Sequence, residues 1–225
     1  GRYPVRDRDA DSVIDTYAGA LALGATGIGA TARLTADGVV VLSDSESLRV
    51  RLRRRPIAEV PQASLPAGTP SLQEVYQRCG IDFSLALDVA DSDVAAAVIR
   101  TAQTCGGEQI MRRLWLVNSD WERLAEWRER WTEIRLVNRA SLGALRRGPE
   151  RRAAQLAAAH VDAVLLSPAE WTGGLTTLFH RFERNAFASD SPHERVMREL
   201  LRMGIDGLSS DQVERMMRAA GRPGA

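Results

Sequence analysis

Two different hydrophobic periods follow each other at the start of the chain. Apolar residues recur with the spacing of an amphipathic helix over residues 12–23, and Gly24 follows where a helix commonly ends in a left-handed conformation. Residues 27–34 and 39–42 have the pattern of strands, and the Asp37-Gly38 pair between them tolerates the positive φ of a tight turn. The pattern therefore predicts a helix followed by a β-hairpin.

The rest of the chain alternates short apolar runs with longer amphipathic segments. This rhythm predicts a parallel sheet covered by helices, and so an α/β fold. The predicted strands are residues 82–88, 113–117, 133–137, 163–167 and 182–188. The predicted helices begin near Thr69 and Pro70 and then cover residues 92–104, 120–131, 148–159, 168–182 and 191–203.

Length and net charge limit the number of domains and the kinds of partner that we expect. A chain of 225 residues suits a single domain spanning residues 1–225, and 30 basic against 29 acidic residues give a net charge of +1. This balance argues against a nucleic-acid partner, because such proteins neutralise phosphates with an excess of basic side chains. Every basic residue is Arg and Ala is abundant, which we interpret as the codon bias of a GC-rich bacterium.

The sequence contains neither a membrane-spanning pattern nor a secretion signal. No apolar run approaches the roughly 20 residues of a transmembrane helix, and the first residues are polar. We therefore expect a soluble, cytoplasmic protein without a transmembrane segment. A trimmed N-terminal leader stays open as an alternative, because the sequence does not begin with Met.

Cys79 and Cys105 each stand before Gly at a predicted helix end, in neighbouring units of the predicted fold. They could therefore lie close enough to form a disulfide. Free thiols are the favoured interpretation, because a domain of this size buries a sizeable core and rarely depends on one disulfide.

Three separate segments resemble one known family. Residues 23–44, LGATGIGATARLTADGVVVLSD, follow the phrase lelGAdgIElDvrlTkDGvlVviHD of the glycerophosphodiester phosphodiesterases. TPSLQEV at 69–75 follows that family's iPTLeEv, and GIDGLSSD at 204–211 follows its lGvDGIiTD. The resemblance spans nearly the whole chain. It implies a (β/α)8 TIM barrel, phosphoric diester hydrolysis in lipid metabolism and a divalent metal such as Mg²⁺ or Ca²⁺.

The family's catalytic residues do not accompany its framework. Its metal-binding and other strand-borne acids correspond here to Gly29, Thr31 and Ala86, its catalytic histidine to Ser43 and its catalytic lysine to Asp88. Asp44 keeps the family identity. Asp11 could replace a further metal-binding Glu, although a helix cap is the simpler interpretation. The family's substrate-lining Trp corresponds to Phe187, which keeps an aromatic face.

Histidines elsewhere in the chain do not replace the missing pair. The resemblance places the first catalytic histidine near residues 1–6, where the sequence has none, after a strand at 2–5. His160, His180 and His193 fall on predicted helices or helix starts rather than at strand ends.

The Arg- and Pro-rich segment at residues 47–70 is predicted to form a loop over the C-terminal face of the barrel. Its arginines could bind a phosphate or an anionic headgroup through their planar, fork-shaped donors. The alternative is a solvated basic loop in an Arg-rich protein. The arginines concerned are Arg49, Arg51, Arg53, Arg54 and Arg55.

Three functional hypotheses follow. The first is a catalytically inactive protein, a pseudoenzyme without a metal cofactor, that binds an anionic or phosphorylated ligand such as a phospholipid headgroup, or a protein partner. Small residues at Gly29, Thr31 and Ala86 then predict an enlarged apolar pocket at the barrel mouth. The second is a phosphodiester hydrolase with altered chemistry, using an Arg of the basic loop with an acid: Asp11, Asp44, Asp88 or Asp211. The third is a structural protein or homo-oligomer.

Overall fold

The computed structural model of the chain describes residues 10–50, 53–145 and 147–221. The chain forms two compact units. The N-terminal unit comprises the described residues of Tyr3–Ala22 and Thr26–Leu114, and the C-terminal unit consists mainly of the described residues of Trp115–Ala225 together with Leu23–Ala25. The expectation of one domain over residues 1–225 stays a prediction, and the strand predicted at 2–5 lies outside the described residues.

The N-terminal unit begins with the predicted helix and hairpin. Helix α1 spans Ala10–Ala22, strand β1 spans Gly27–Leu34 and strand β2 spans Val40–Leu42. Gly24 has a φ of +100° and Gly38 a φ of +78°, the left-handed conformations expected after a helix and in a tight turn. Because β1 and β2 also pair antiparallel, this prediction is confirmed.

The Arg-rich segment after β2 is a second hairpin, and the prediction of a loop at residues 47–70 was wrong. Strands β3 (Ser47–Val50) and β4 (Arg53–Pro56) pair antiparallel. Two short 3-10 helices follow at Ile57–Glu59 and Gln62–Ser64. The physical reason is that polar and apolar residues alternate over residues 47–53, with the period of a strand, and β4 then pairs with β3. The high Arg content concealed this alternation.

Helix α2 spans Leu72–Cys79 and begins with a capping box. The Ser71 hydroxyl accepts from the Glu74 N–H at 3.2 Å, and the Glu74 carboxylate accepts from the Ser71 N–H at 2.7 Å. This reciprocal pair is a capping box, which satisfies two otherwise unpaired backbone donors. The helix start predicted near Thr69 and Pro70 is therefore confirmed, with Ser71 as the N-cap.

Strand β5 spans Ser84–Asp88, and helix α3 then runs over Ser92–Met111, seven residues beyond its predicted end. The helix is interrupted at Gly107, which has a φ of +56°, and it continues because the two apolar residues at its end are buried. Cys105 therefore lies inside α3, whereas Cys79 ends α2 as predicted. Both cysteines are free, so the favoured interpretation is confirmed.

The C-terminal unit continues the alternation of parallel strands and helices. The strands are β6 (Leu114–Asn118), β7 (Arg135–Arg139), β8 (Ala163–Leu166), β9 (Asn185–Ala188) and β10 (Gly207–Leu208). The helices are α4 (Trp121–Arg130), α5 (Gly148–Ala158), α6 (Gly173–Arg181), α7 (Glu194–Arg202) and α8 (Val213–Ala219), with 3-10 helices at Leu142–Ala144 and Pro168–Glu170. Strand β9 begins three residues later than predicted, since the Arg184 N–H closes the end of α6 by donating to the Phe179 carbonyl. Helix α8 was not predicted.

Burial alternates along the strands of the N-terminal unit. On β1 and β5 the residues that face the helices are almost fully buried, as at Ile28 and Leu85, which are 3% and 1% exposed. The residues between them are half-buried and share the opposite face of the sheet. Within the described ranges, no helix is both long and apolar enough to cross a membrane.

Candidate functional site

The pairing of β1 with β5 brings four predicted site positions together on the half-buried face. Gly29 is the register partner of Ala86, and Thr31 is the register partner of Asp88. These side chains lie on one face because alternate residues of a strand point to the same side. A Cβ built at Gly29 would meet no atom within 4 Å, so this position borders open space.

Asp44 joins this face from the end of β2. Its Oδ1 accepts a hydrogen bond from the Thr31 hydroxyl at 2.9 Å, and the Ser43 N–H donates to the Thr31 carbonyl at 2.9 Å. Burial raises the pKa of Tyr17 to about 12, and the negative charge of Asp44 adds to this rise. Asp44, Thr31 and Asp88 thus form an oxygen-bearing group on neighbouring strands, which we call the Asp44 group.

Arg33 continues the same face of β1 toward its carboxyl end. Its Nη1 lies 3.5 Å from Oε1 of Glu46, and its side chain is 20% exposed. Its Nε is buried and has no hydrogen-bond partner in the part of the chain that the structure describes. An arginine thus stands two positions beyond Thr31 on the same strand face, and its Nε is unsatisfied among the described residues.

The predicted arginines lie mainly on the β3–β4 hairpin. Arg49 and Arg54 are register partners and both are exposed, so two like charges face each other across the pair. Arg54 donates from Nε to the Ser47 hydroxyl at 2.7 Å, and Arg55 donates to the Glu59 carbonyl at 3.3 Å. Like charges directly opposite on paired strands destabilise the pairing, unless an anion or solvent compensates them. Arg53 is exposed as well, and Arg51 lies outside the described residues.

The remaining acidic candidates lie on other elements than the Asp44 group. Asp11 lies in α1, where its side chain is outside the described part of the chain, and Asp211 follows β10 in the C-terminal unit. Among the described residues, no group of three or more His, Cys, Asp or Glu could hold a metal ion. The side chains of Gly29 and Ala86 carry no oxygen, so they supply no carboxylate ligand for the family's divalent metal.

A polar pocket in the C-terminal unit was missed in the sequence. It measures about 460 Å³ and lies where β7, β8 and β9 end; its polar lining residues are Arg139, Ser141, Ser167, Glu170 and Ser189. The carboxyl ends of parallel strands are where barrel enzymes place their active sites. The signal available in the sequence was the polar residue at or just after each of three successive predicted strands.

Glu170 organises this β7–β9 pocket. Its carboxylate accepts from the hydroxyls of Ser141 at 2.8 Å and Ser167 at 2.7 Å, and from the N–H groups of Leu142 at 2.6 Å and Ser167 at 3.1 Å. Burial alone would raise the pKa of Glu170, but the hydrogen bonds from Ser167, Ser141 and Leu142 hold it below its ordinary value. The glutamate is therefore a fixed anion that joins the loops after β7 and β8.

Replacing Glu170 with Gln is expected to lower the free energy of unfolding at pH 7 by roughly 1 kcal/mol, because an amide nitrogen cannot accept these hydrogen bonds. A depressed pKa contributes stability that is present above the ordinary glutamate pKa of about 4.3 and is lost as the pH falls through the lower value in the folded protein. Urea unfolding of the original chain and the variant at pH 7 and at lower pH measures the difference in their free energies of unfolding. This difference should shrink as the pH falls through the lowered pKa of Glu170. Glu183→Gln, at an exposed position, is the control.

Phe187 packs against another aromatic ring, whereas the three histidines of the C-terminal unit are exposed. The Phe187 ring lies 5.1 Å from that of Trp115, and a Cβ at Gly207 would come within 3.0 Å of it. His180 lies in α6 and bonds Asp206 at 2.8 Å, and His193 is the N-cap of α7, so the predictions for these two are confirmed. The prediction for His160 was wrong, because α5 ends at Ala158 and His160 lies in the turn that follows. A ligand contact of Phe187 and an apolar pocket at Gly29, Thr31 and Ala86 stay predictions.

The chain is similar to several solved structures of one kind. A glycerophosphodiester phosphodiesterase from Thermotoga maritima has a TM-score of 0.77 at 18% identity, covering 94% of this chain and 95% of that one. A phosphodiesterase from Oleispira antarctica, in complex with the product sn-glycerol-3-phosphate, has a TM-score of 0.77 at 15% identity, covering 95% and 94%. A glycerophosphodiester phosphodiesterase from Agrobacterium tumefaciens has a TM-score of 0.70 at 17% identity, covering 93% and 96%.

No protein-family model and no curated protein matches the chain. The likeness to solved structures is therefore a likeness of fold, carried over nearly the full length of each chain. It agrees with the three sequence motifs, which lie at residues 23–44, 69–75 and 204–211. The chain has the (β/α)8 barrel fold of the glycerophosphodiester phosphodiesterases, as those motifs predicted.

Proposed function

We propose that the chain is a catalytically inactive protein with the phosphodiesterase fold, which binds an anionic or phosphorylated ligand without a divalent metal. The observation that carries this proposal is the register pair Gly29 and Ala86 on β1 and β5. Metal-assisted hydrolysis of a phosphodiester needs carboxylate oxygens that hold the cation against the phosphoryl group. At these two positions of the half-buried face no side chain supplies a carboxylate oxygen.

Binding of an anion is supported by charge in the same unit. Arg33 has a buried Nε without a partner among the described residues, and Arg49 and Arg54 hold exposed guanidinium groups at facing positions of one hairpin. Guanidinium groups bind phosphate oxygens through paired, charge-assisted hydrogen bonds. The Oleispira phosphodiesterase is bound to sn-glycerol-3-phosphate, and a ligand of that kind, or a phospholipid headgroup, suits this arginine-bearing unit.

The test combines binding and turnover on the same samples. We expect that calorimetric titration with Mg²⁺, Ca²⁺ and Mn²⁺ gives no specific binding, that a glycerophosphodiester is not hydrolysed, and that sn-glycerol-3-phosphate binds. Replacing Arg49 and Arg54 with Gln should weaken that binding about tenfold or more, because each charge-assisted contact contributes about 1.5–3 kcal/mol. The matched control is Arg100→Gln with Arg112→Gln, which removes two charges from exposed positions of α3 and its C-cap.

The Asp44 group favours a second candidate function, a hydrolase with altered active-site residues. Thr31 donates to Asp44 at 2.9 Å and is the register partner of Asp88, so two carboxylates and a hydroxyl share one surface. Metal-dependent turnover that is lost in Asp44→Asn and Asp88→Asn would establish this candidate and overturn the first. Turnover that survives both substitutions would show that neither of these two carboxylates is needed for it.

A further inference from the structure

A pocket rich in arginine lies in the C-terminal unit, apart from the β7–β9 pocket and from the Asp44 group. It measures about 430 Å³ and is bordered by the first turns of α4 and α5 and by the 3-10 helix Leu142–Ala144. Its charged and hydrogen-bonding lining residues are Trp121, Glu122, Arg147, Arg151, Arg152 and Gln155. We call it the arginine pocket.

The lining of this pocket is strongly basic. Three arginines line it against a single glutamate, which leaves a local net charge of +2. Within the described ranges, neither Arg147 nor Arg151 forms an ion pair or a side-chain hydrogen bond. Glu150 turns toward Gly148 at the start of α5 and does not line the pocket. Two guanidinium groups thus line the pocket without an ion-pair partner among the described residues.

Arg152 is held in place at the wall of the pocket. Its Nη1 donates to the Asn138 Oδ1 at 2.9 Å, and its Cζ lies 5.6 Å above the Trp121 ring. Asn138 is fully buried and is itself fixed, since its Nδ2 donates to the carbonyls of Asn118 and Ser119 at 3.2 and 3.1 Å. The guanidinium therefore keeps one orientation without a ligand, which lowers the entropic cost of binding.

Two features of Arg152 indicate a missing anion. Its Nε is buried and lacks a hydrogen-bond acceptor in the described part of the chain. Burial lowers the pKa of Arg152, and the nearby charges of Glu122 and Asp120 oppose this fall only in part. A buried donor and a desolvated cation both cost free energy unless an acceptor with negative charge is supplied.

We propose that the arginine pocket binds a phosphorylated small molecule through its phosphate group. Three guanidinium groups around one space match the several oxygens of a doubly charged phosphate better than those of a single carboxylate. Arg147 is the N-cap of α5, and this helix start has no side-chain cap. The Gly148 N–H already donates to the Leu145 carbonyl and Pro149 has no N–H, so the donors for the phosphate are mainly the guanidinium groups. The remaining volume accommodates the rest of the ligand.

The test uses pyrophosphate and inorganic phosphate as probes, titrated into the full chain and followed by calorimetry and tryptophan fluorescence. We expect pyrophosphate to bind more tightly than phosphate and more weakly as the salt concentration rises. Replacing Arg147 and Arg151 with Gln should weaken binding about tenfold or more, because two charge-assisted contacts are lost. Trp121→Phe should remove the change in fluorescence and leave the heat of binding.

The control variant carries Arg181→Gln and Arg202→Gln, which remove the same charge from exposed positions of α6 and α7. Binding should stay within about twofold of the original in this control. Absence of pyrophosphate binding, or an equal loss in both double variants, overturns the proposal. Loss of pyrophosphate binding in the Arg49→Gln and Arg54→Gln variant instead would place the anion on the β3–β4 hairpin and would likewise overturn it.

Discussion

Replacing Asp162 with Ala is expected to lower the free energy of unfolding by about 3 kcal/mol, because it leaves a largely buried arginine without its counter-ion. The carboxylate is 15% exposed and stands just before β8. Its Oδ2 accepts from Arg128 at 2.6 Å and from the Leu136 N–H at 2.8 Å, and its Oδ1 accepts from Arg135 at 2.8 Å. The substitution removes all three hydrogen bonds at once.

Arg128 cannot readily move into solvent when Asp162 is removed. Its Nε donates to the His160 carbonyl at 3.0 Å, and its Nη1 lies within 3.2 Å of three carbonyls between the end of α4 and the start of β7. Burial lowers the pKa of Arg128 and Asp162 opposes this, but a guanidinium stays charged at pH 7. The cost therefore falls on a buried, unpaired positive charge.

Urea unfolding at pH 7 measures this cost. Asp162→Asn keeps one acceptor oxygen but loses the charge. Its free energy of unfolding should therefore lie between those of the original chain and Asp162→Ala. Glu129→Ala removes an exposed carboxylate from the same helix as Arg128 and should change stability by less than about 0.5 kcal/mol. If Asp162→Ala changed the free energy of unfolding no more than this control does, the Asp162 ion pairs would stabilise the fold no more than solvated surface pairs do.

The Asp162 contacts illustrate what a single sequence leaves undetermined. Asp162 is separated from Arg128 by 34 positions and from Arg135 by 27. No local period connects residues so far apart, and the sequence contains many Asp and Arg residues that could pair. The strand pairing of β7 with β8 decides which of them meet. The helices and strands were thus predictable from period and turn chemistry, whereas the long-range polar contacts were not.

Some helix and strand boundaries were predicted wrongly because the local composition conflicted with the apolar pattern. The Gly106-Gly107 pair predicts the end of α3, yet only Gly107 leaves the helical conformation and the helix then resumes. At residues 47–56 a charged composition concealed a strand period. In both places a compositional signal that normally ends or excludes an element was outweighed by an apolar pattern.

The candidate site, too, could be predicted from the sequence only in part. Gly29, Ala86, Thr31 and Asp88 could be assigned by motif, and β1 and β5 then bring them to one face as paired positions. The hydrogen bond from Thr31 to Asp44 could not be predicted, because it depends on how β2 ends against β1. Both pockets of the C-terminal unit were also missed, since their linings come from segments that are distant in sequence.

The glycines on the half-buried face of β1 are expected to respond in opposite ways to the same substitution. Gly27→Ala should lower the free energy of unfolding by about 2 kcal/mol, because an added Cβ would force the two strands apart. That Cβ would lie 2.5 Å from the backbone carbonyl oxygen of Ser84, its register partner on β5. A carbonyl oxygen held in a parallel pair cannot yield as the end of a flexible side chain can.

Gly29→Ala is the matched control, two residues along the same strand and face. A Cβ there meets nothing within 4 Å, so the substitution should be neutral or should stabilise by up to about 1 kcal/mol, through the lower entropy of the unfolded chain. Urea and thermal unfolding of both variants measure the contrast. Such a contrast would mean that packing does not require glycine at position 29, and that a side chain with metal-binding oxygens could stand there without steric conflict. Equal losses at both positions would instead make the missing carboxylate a consequence of packing on β1.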